Sequence, residues 1–168
     1  MRILVTNDDG IHGKGLVALE EIARVLSDDI WVVAPDEERS GAGHSLTIAN
    51  PIRYRRIEDR RFEVSGTPTD CVIMAVRKIM PGMPDIVLSG VNRGQNIADD
   101  VTYSGTIAAA MEGTALGIPS IAFSQVGGYH DNAETFAVAR KHGPAVAKKL
   151  VGMQFGPGVL INVNFPDC

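Results

Sequence analysis

The sequence predicts an α/β domain built on an open, mostly parallel sheet with a small β-hairpin excursion. Three observations carry that prediction. Short apolar runs such as Ile3-Leu4-Val5, Ile30 to Ala34 and Asp85 to Ser89 lack polar alternation, so they read as strands buried on both faces. Apolar residues at helical spacing lie between the runs, which makes strand–helix–strand crossover units. Polar, glycine-rich stretches follow several of the strands, where an open parallel sheet places its ligand site.

The first strand, Ile3-Leu4-Val5, ends in Asn7-Asp8-Asp9-Gly10. Leu16, Leu19, Ile22, Ala23 and Leu26 then mark one face of a helix, broken by Ser27-Asp28-Asp29. Ile30 to Ala34 is the second strand, and Pro35 stops it. The loop Asp36 to Ser45 leaves the same sheet edge as Asp8 and Asp9 if the two strands are parallel. Ile52 to Arg56 and Arg61 to Val64 form the hairpin, turning through Glu58-Asp59-Arg60. Thr67-Pro68-Thr69-Asp70 is a helix start, with Thr67 as N-cap, Pro68 in the first position and Asp70 closing a capping box. Cys71, Val72, Ala75, Val76 and Ile79 form its buried face. Asp85 to Ser89 is a strand that runs into the loop Gly90 to Asn96. Asp99 to Thr106 leads into a small-residue helix over Ile107 to Leu116, ended by Gly117-Ile118-Pro119. Ser120 to Ser124 is the next strand. A long helix is expected from about Asn132 to Leu150, kinked at Pro144, before the last strand Val159 to Val163.

At 168 residues the chain is long enough for one domain with a real core. No apolar run approaches the ~20 residues of a membrane span. The N-terminus does not read as a signal peptide, so a cytoplasmic protein is expected. Sixteen basic against 20 acidic residues give a net charge of −4, which argues against binding of nucleic-acid polymers. The densest basic cluster, Arg53 to Arg56 with Arg60 and Arg61, reads as a charged strand edge. Two cysteines make neither a disulfide framework nor a zinc site, and the four histidines have no metal-ligand spacing.

The strand-end loops collect a particular chemistry. Asp8 and Asp9 are adjacent carboxylates that repel each other unless a cation or donors compensate. Ser40 brings a hydroxyl beside a flexible glycine pair. Asn92 and Asn96 bring amides, and Ser104-Gly105-Thr106 exposes backbone N–H groups and hydroxyls at a helix start, an anion-binding device. Hard oxygen donors next to an anion site describe a Mg²⁺- or Mn²⁺-dependent phosphate site. A plain Asn-Asp-Asp-Gly turn and an ordinary serine N-cap explain single pieces of this set but not their repetition along one edge.

Taken in order, several stretches resemble the SurE family of survival proteins. These are Ile3 to Gly10, Val32 to Asp36, Arg39 to Ala42, Ser45 to Thr47, Gly66 to Val72, Pro84 to Asn96 and Asp100 to Gly113, and the likeness covers essentially the whole sequence. The resemblance implies a Rossmann-like three-layer sandwich and a metal-dependent 5′-nucleotidase. Such an enzyme hydrolyses nucleoside 5′-monophosphates to nucleoside and phosphate, with 3′-monophosphates, other phosphomonoesters and short polyphosphate as further substrates. It implies one divalent cation per subunit on Asp8, Asp9, Ser40 and Asn92, phosphate contacts from Asn96, Ser104, Gly105 and Thr106, and a homodimer or tetramer. Asp8, Asp9 and Asn96 are the candidate catalytic residues. The family's C-terminal extension beyond the equivalent of Asn162 to Pro166 is expected to be missing from this single domain, 1–168.

Two other readings compete. A non-catalytic nucleotide- or phosphate-binding module would bind nucleotide with metal and release no phosphate. A dinucleotide-dependent oxidoreductase would need Gly-x-Gly-x-x-Gly after the first strand, where Asn7-Asp8-Asp9-Gly10 stands instead. For the hydrolase, a metal-activated water is the simplest nucleophile, because no Ser–His pair is evident.

Overall fold

A computed structural model describes residues 1–127, 135–153 and 156–167. Seven strands form one sheet: β1 (Arg2–Thr6), β2 (Asp29–Pro35), β3 (Tyr54–Glu58), β4 (Arg61–Val64), β5 (Ile86–Arg93), β6 (Ser120–Gln125) and β7 (Leu160–Phe165). Their order is β3-β4-β2-β1-β5-β6-β7. All neighbours are parallel except β3 and β4, the antiparallel hairpin at one edge. The chain therefore starts in the middle of the sheet, builds one half outward, and returns to β5 on the other side of β1. That reversal between β1 and β5 is the switch point where open α/β sheets place ligands.

Alternation within the central strands sends side chains to two cores. Ile3 and Val5 of β1, with Ile86 and Leu88 of β5, pack under α1 (Lys14–Arg24) and α5 (Ala137–Val151). Leu4 and Val87 point the other way, toward α2 (Pro68–Met74) and α4 (Gly105–Ala115). The three layers are thus helix, sheet, helix, as the resemblance implies. Apolar residues on both faces explain why these strands read as unbroken hydrophobic runs.

The N-cap chemistry is as anticipated for α2. Thr67 accepts the Asp70 N–H, the Asp70 carboxylate accepts the Thr67 N–H, and Pro68 occupies the first turn. The helix then loosens into a π-helical turn over Ala75–Ile79. Cys71 is a buried free thiol in the core, as expected, and Cys168 lies outside the described residues.

Several boundaries differ from the sequence reading; β7, for one, runs over Leu160–Phe165 instead of Val159 to Val163. β5 runs on to Arg93 instead of ending at Ser89, because a bulge between Ser89 and Asn92 lets pairing with β6 resume. β3 starts at Tyr54, two residues after Ile52. A separate short helix, α3 (Asp100–Tyr103), precedes α4, and α4 begins at Gly105. The described part of the long helix begins at Ala137 after Phe136, which has φ 69°; positions 132–134 of the expected helix lie outside the described residues. Pro144 sits inside α5.

The basic cluster belongs to the β3–β4 hairpin, and its charges are largely paired locally. Arg55 meets Glu63 at 2.6 Å, Arg60 meets Asp29 at 3.1 Å, and Arg61 meets Glu20 at 2.5 Å. Arg60 also lies over Trp31, which stacks on Phe62. Among the described residues no helix is long and apolar enough to cross a membrane.

Candidate active site

The site is built from the C-terminal ends of β1 and β5. Just past β1 the chain turns sharply, with the Asn7 amide donating to the Gly10 carbonyl at 2.9 Å. Gly10 has φ 91°, and a Cβ there would come within 3.2 Å of the Glu37 backbone, so the turn admits glycine. Asp8 points inward and is only 4% exposed. Its carboxylate accepts the Thr106 hydroxyl at 2.5 Å and the Thr106 N–H. The start of α4 is therefore addressed to Asp8, and the positive end of the helix faces that carboxylate. Gly105 makes the approach feasible, since a Cβ at this position would fall 2.7 Å from the Asp8 Cβ.

Even with these donors, burial holds the Asp8 carboxyl above the usual carboxylate range. Asp9 is pushed up to about 6, first by burial and then by the charge of Asp8; the Arg93 charge and backbone N–H pull the other way. Two adjacent carboxylates with raised pKa values are short of positive charge, which is the electrostatic signature of a cation site.

Ser40 arrives on the loop after β2. The Arg39 N–H donates to the Asp8 carbonyl at 2.8 Å, which ties this loop to the end of β1. The Ser40 hydroxyl donates to Glu38 at 2.7 Å, so its oxygen lone pairs stay available to a ligand. Further along, the Gly43 N–H donates to the Tyr103 carbonyl at 3.0 Å and His44 meets Glu112 at 2.9 Å, which fastens the loop onto α3 and α4.

Asn92 is placed by the bulge in β5. Ser89 pairs with Ala122, yet Ser124, two residues later on β6, pairs with Asn92, three residues later on β5. The extra residue re-aims the strand end. The Asn92 Nδ2 donates to the carbonyls of Gly94 (2.9 Å) and Arg93 (3.3 Å), which leaves Oδ1 as the amide atom for a cation.

These elements surround a cleft of about 530 Å³, lined by Asp8, Asp9, Ser40, Asn92, Asn96 and Ser104, with Glu38, Gly41, Arg93, Gln95, Asp100 and Tyr103. Six of the eight sequence-derived candidates thus share one wall. Gly105 and Thr106 stand behind it, against Asp8. Thr106 is fully buried, with its hydroxyl and N–H both given to Asp8. Ser104 accepts the Ile107 N–H as N-cap, at 3.1 Å, and keeps its own O–H to donate. Arg93 was legible only as one cation in a polar run; its position beside Asp9 came from the bulge, which the sequence does not announce.

The donor set fits a hard divalent cation. Asp8 and Asp9 would supply carboxylate oxygens, Ser40 a hydroxyl oxygen and Asn92 an amide oxygen. Among the described residues no group of three or more His, Cys, Asp or Glu side chains could hold a metal, so neutral oxygens and the substrate or water would complete the shell.

A family model described as Survival protein SurE matches residues 3–168. The chain belongs to the SurE family. It is 59% identical over 170 residues to the 5′-nucleotidase SurE of Mesorhizobium japonicum, covering 100% of this chain and 68% of that protein. The 5′-nucleotidase SurE of Methylobacterium radiotolerans is 61% identical, with 100% of this chain and 67% of that one covered. The crystal structure of the SurE protein from Aquifex aeolicus superposes with a TM-score of 0.90 at 42% identity, covering all of this chain and 67% of that one. The SurE-family chain thus spans about two thirds of the length of these relatives.

Proposed function

We propose that this SurE-family chain is a metal-dependent phosphomonoesterase that hydrolyses nucleoside 5′-monophosphates to nucleoside and phosphate. The observation that carries the reading is the convergence of Asp8, Asp9, Ser40 and Asn92 on one cleft that also holds Asn96, Ser104 and Arg93. Relatives about 60% identical over the whole chain bear the name 5′-nucleotidase. Nothing in the cleft favours a binding module without catalysis, and no dinucleotide loop follows β1.

In this reading Asp8, Asp9, Ser40 and Asn92 hold one Mg²⁺ or Mn²⁺ ion per subunit. When bound, that ion polarises a phosphoryl oxygen and lowers the pKa of water. Ser104 donates its hydroxyl to the phosphate, and the Arg93 guanidinium offsets charge that develops on the phosphoryl oxygens. Gly105 and Thr106 act one step back: they admit and hold Asp8, which fixes the first ligand. Water is the nucleophile. Cys71, the free thiol among the described residues, is fully buried and its pKa is pushed well up, so it takes no part. With a cation on Asp9, its carboxyl would titrate lower and serve as ligand rather than general base. The homodimeric or tetrameric state and activity on 3′-monophosphates or short polyphosphate rest on the family resemblance.

The test is phosphate release from a panel of nucleoside monophosphates and p-nitrophenyl phosphate. EDTA should abolish release, and Mn²⁺ or Mg²⁺ should restore it. Asp8→Asn should retain the fold by circular dichroism and lose turnover. Metal-independent release, or near-normal turnover in both Asp8→Asn and Asp9→Asn, would overturn the assignment.

A further inference from the structure

Asn96 is held through both its backbone groups and its side chain, by side chains that the function does not use. Its N–H donates to Asn164 Oδ1 at 2.8 Å. Its carbonyl accepts from Asn162 Nδ2 at 2.8 Å and from Asn164 Nδ2 at 3.3 Å. Asn164 Nδ2 also donates to Asn162 Oδ1 at 3.0 Å, which cross-braces the pair. The Asn96 side chain donates through Nδ2 to Ser124 Oγ at 2.8 Å. Both backbone groups and one end of the amide are thus fixed from β6 and β7.

The sequence supports a purpose for this. Asparagine is depleted in strands, yet β7 carries two in six residues, spaced two apart so that both fall on one face. Asn164 pairs with Ser124 in the ladder, and Ser124 pairs with Asn92, so the three strand ends carry one polar row into the cleft. A local rule broken in register with a candidate ligand is expected where function requires it.

The orientation matters chemically. With Nδ2 given to Ser124, Oδ1 is the amide atom left for the cleft that Asn96 lines, and among the described residues no hydrogen bond to Oδ1 is seen. A carbonyl oxygen repels phosphate oxygens but accepts the proton of a water. We propose that Asn162 and Asn164, with Ser124, are positioning residues that lock Asn96 with its Oδ1 toward the cleft, where it aligns the attacking water. This rests on the hydrolase reading above and refines the part Asn96 plays in it.

The experiment is a double-mutant cycle in the Mn²⁺-loaded protein with a nucleoside 5′-monophosphate, joined by inhibition with inorganic phosphate. Asn164→Ala should lower kcat roughly 10–100-fold, the range found when residues that orient a ligating group are removed, while KM and phosphate inhibition stay within about threefold. Asn96→Ala should do at least as much, and Asn96→Ala/Asn164→Ala should be no worse than Asn96→Ala alone. Mn²⁺ affinity by calorimetry should hold in all three, because Asp8, Asp9, Ser40 and Asn92 are untouched. A merely structural Asn164 would give losses that multiply. A rise in KM and in the phosphate inhibition constant at constant kcat would make Asn96 a phosphate anchor. Asn164→Ala at the wild-type rate would remove the positioning role. Each of these three results overturns the inference while leaving the hydrolase in place. A wild-type protein with no metal-dependent phosphate release overturns both.

Discussion

Asp9→Asn should stabilise the metal-free protein while destroying its metal site. The folded protein raises the Asp9 carboxyl from 3.8 to about 6. At 1.36 kcal/mol per unit, that shift of roughly two units costs the ionised form up to about 3 kcal/mol on folding. Because the pKa is raised, the sign runs against the usual acid case. Below 3.8 both folded and unfolded states are protonated and there is no penalty; it grows between 3.8 and about 6 and is complete above that. Asparagine keeps an oxygen that accepts the Arg93 N–H but carries no charge to desolvate. In EDTA near pH 8 the variant should therefore melt higher than the parent, by about 3–10 °C given ~2–4 °C per kcal/mol for a chain of this size, with partial exposure of Asp9 trimming the gain. Near pH 4 the difference should vanish. Saturating Mn²⁺ should reverse the order, because the parent gains the binding free energy and the variant loses most of it. Scanning calorimetry at three pH values, with and without Mn²⁺, reads all of this. A variant that is less stable than the parent by the same margin at every pH would refute the account of Asp8 and Asp9 as a charge-starved pair.

Three further expectations follow from single contacts. Gly105→Ala puts a methyl group 2.7 Å from the Asp8 Cβ, so α4 or Asp8 must shift; Mn²⁺ affinity by calorimetry should fall at least tenfold even if the protein still folds. Thr106→Val removes the hydroxyl that Asp8 accepts, one of the influences that lowers its pKa, so Mn²⁺ should be displaced by protons at a higher pH than in the parent. Thr67→Ala breaks the capping box of α2 and should cost about 1 kcal/mol in urea unfolding, with metal affinity unchanged.

What the sequence made legible was the chemistry that is local. The strands were readable because both faces of β1 and β5 are apolar, and α2 because its cap needs only Thr67, Pro68 and Asp70 in a row. Asp8, Asp9 and Ser40 could be assembled because parallel strands deliver their loops to one edge, an inference that needs topology but no distances. What stayed hidden depended on register. One extra residue in β5 moves Asn92 opposite Ser124 and carries the strand four residues past the expected stop at Ser89. No local signal in Gly90-Val91-Asn92-Arg93 states whether the strand ends or bulges. The same ambiguity hid the place of Arg93 beside Asp9. Asn162 and Asn164 were invisible for a further reason: their partner lies 66 and 68 residues away, across four intervening elements. A pair of asparagines in an edge strand is a weak preference violation until the strand order places it beside a site. The part of a site built by pairing register is thus the part for which sequence reasoning has no template, and in this fold it is the part that aims the amides.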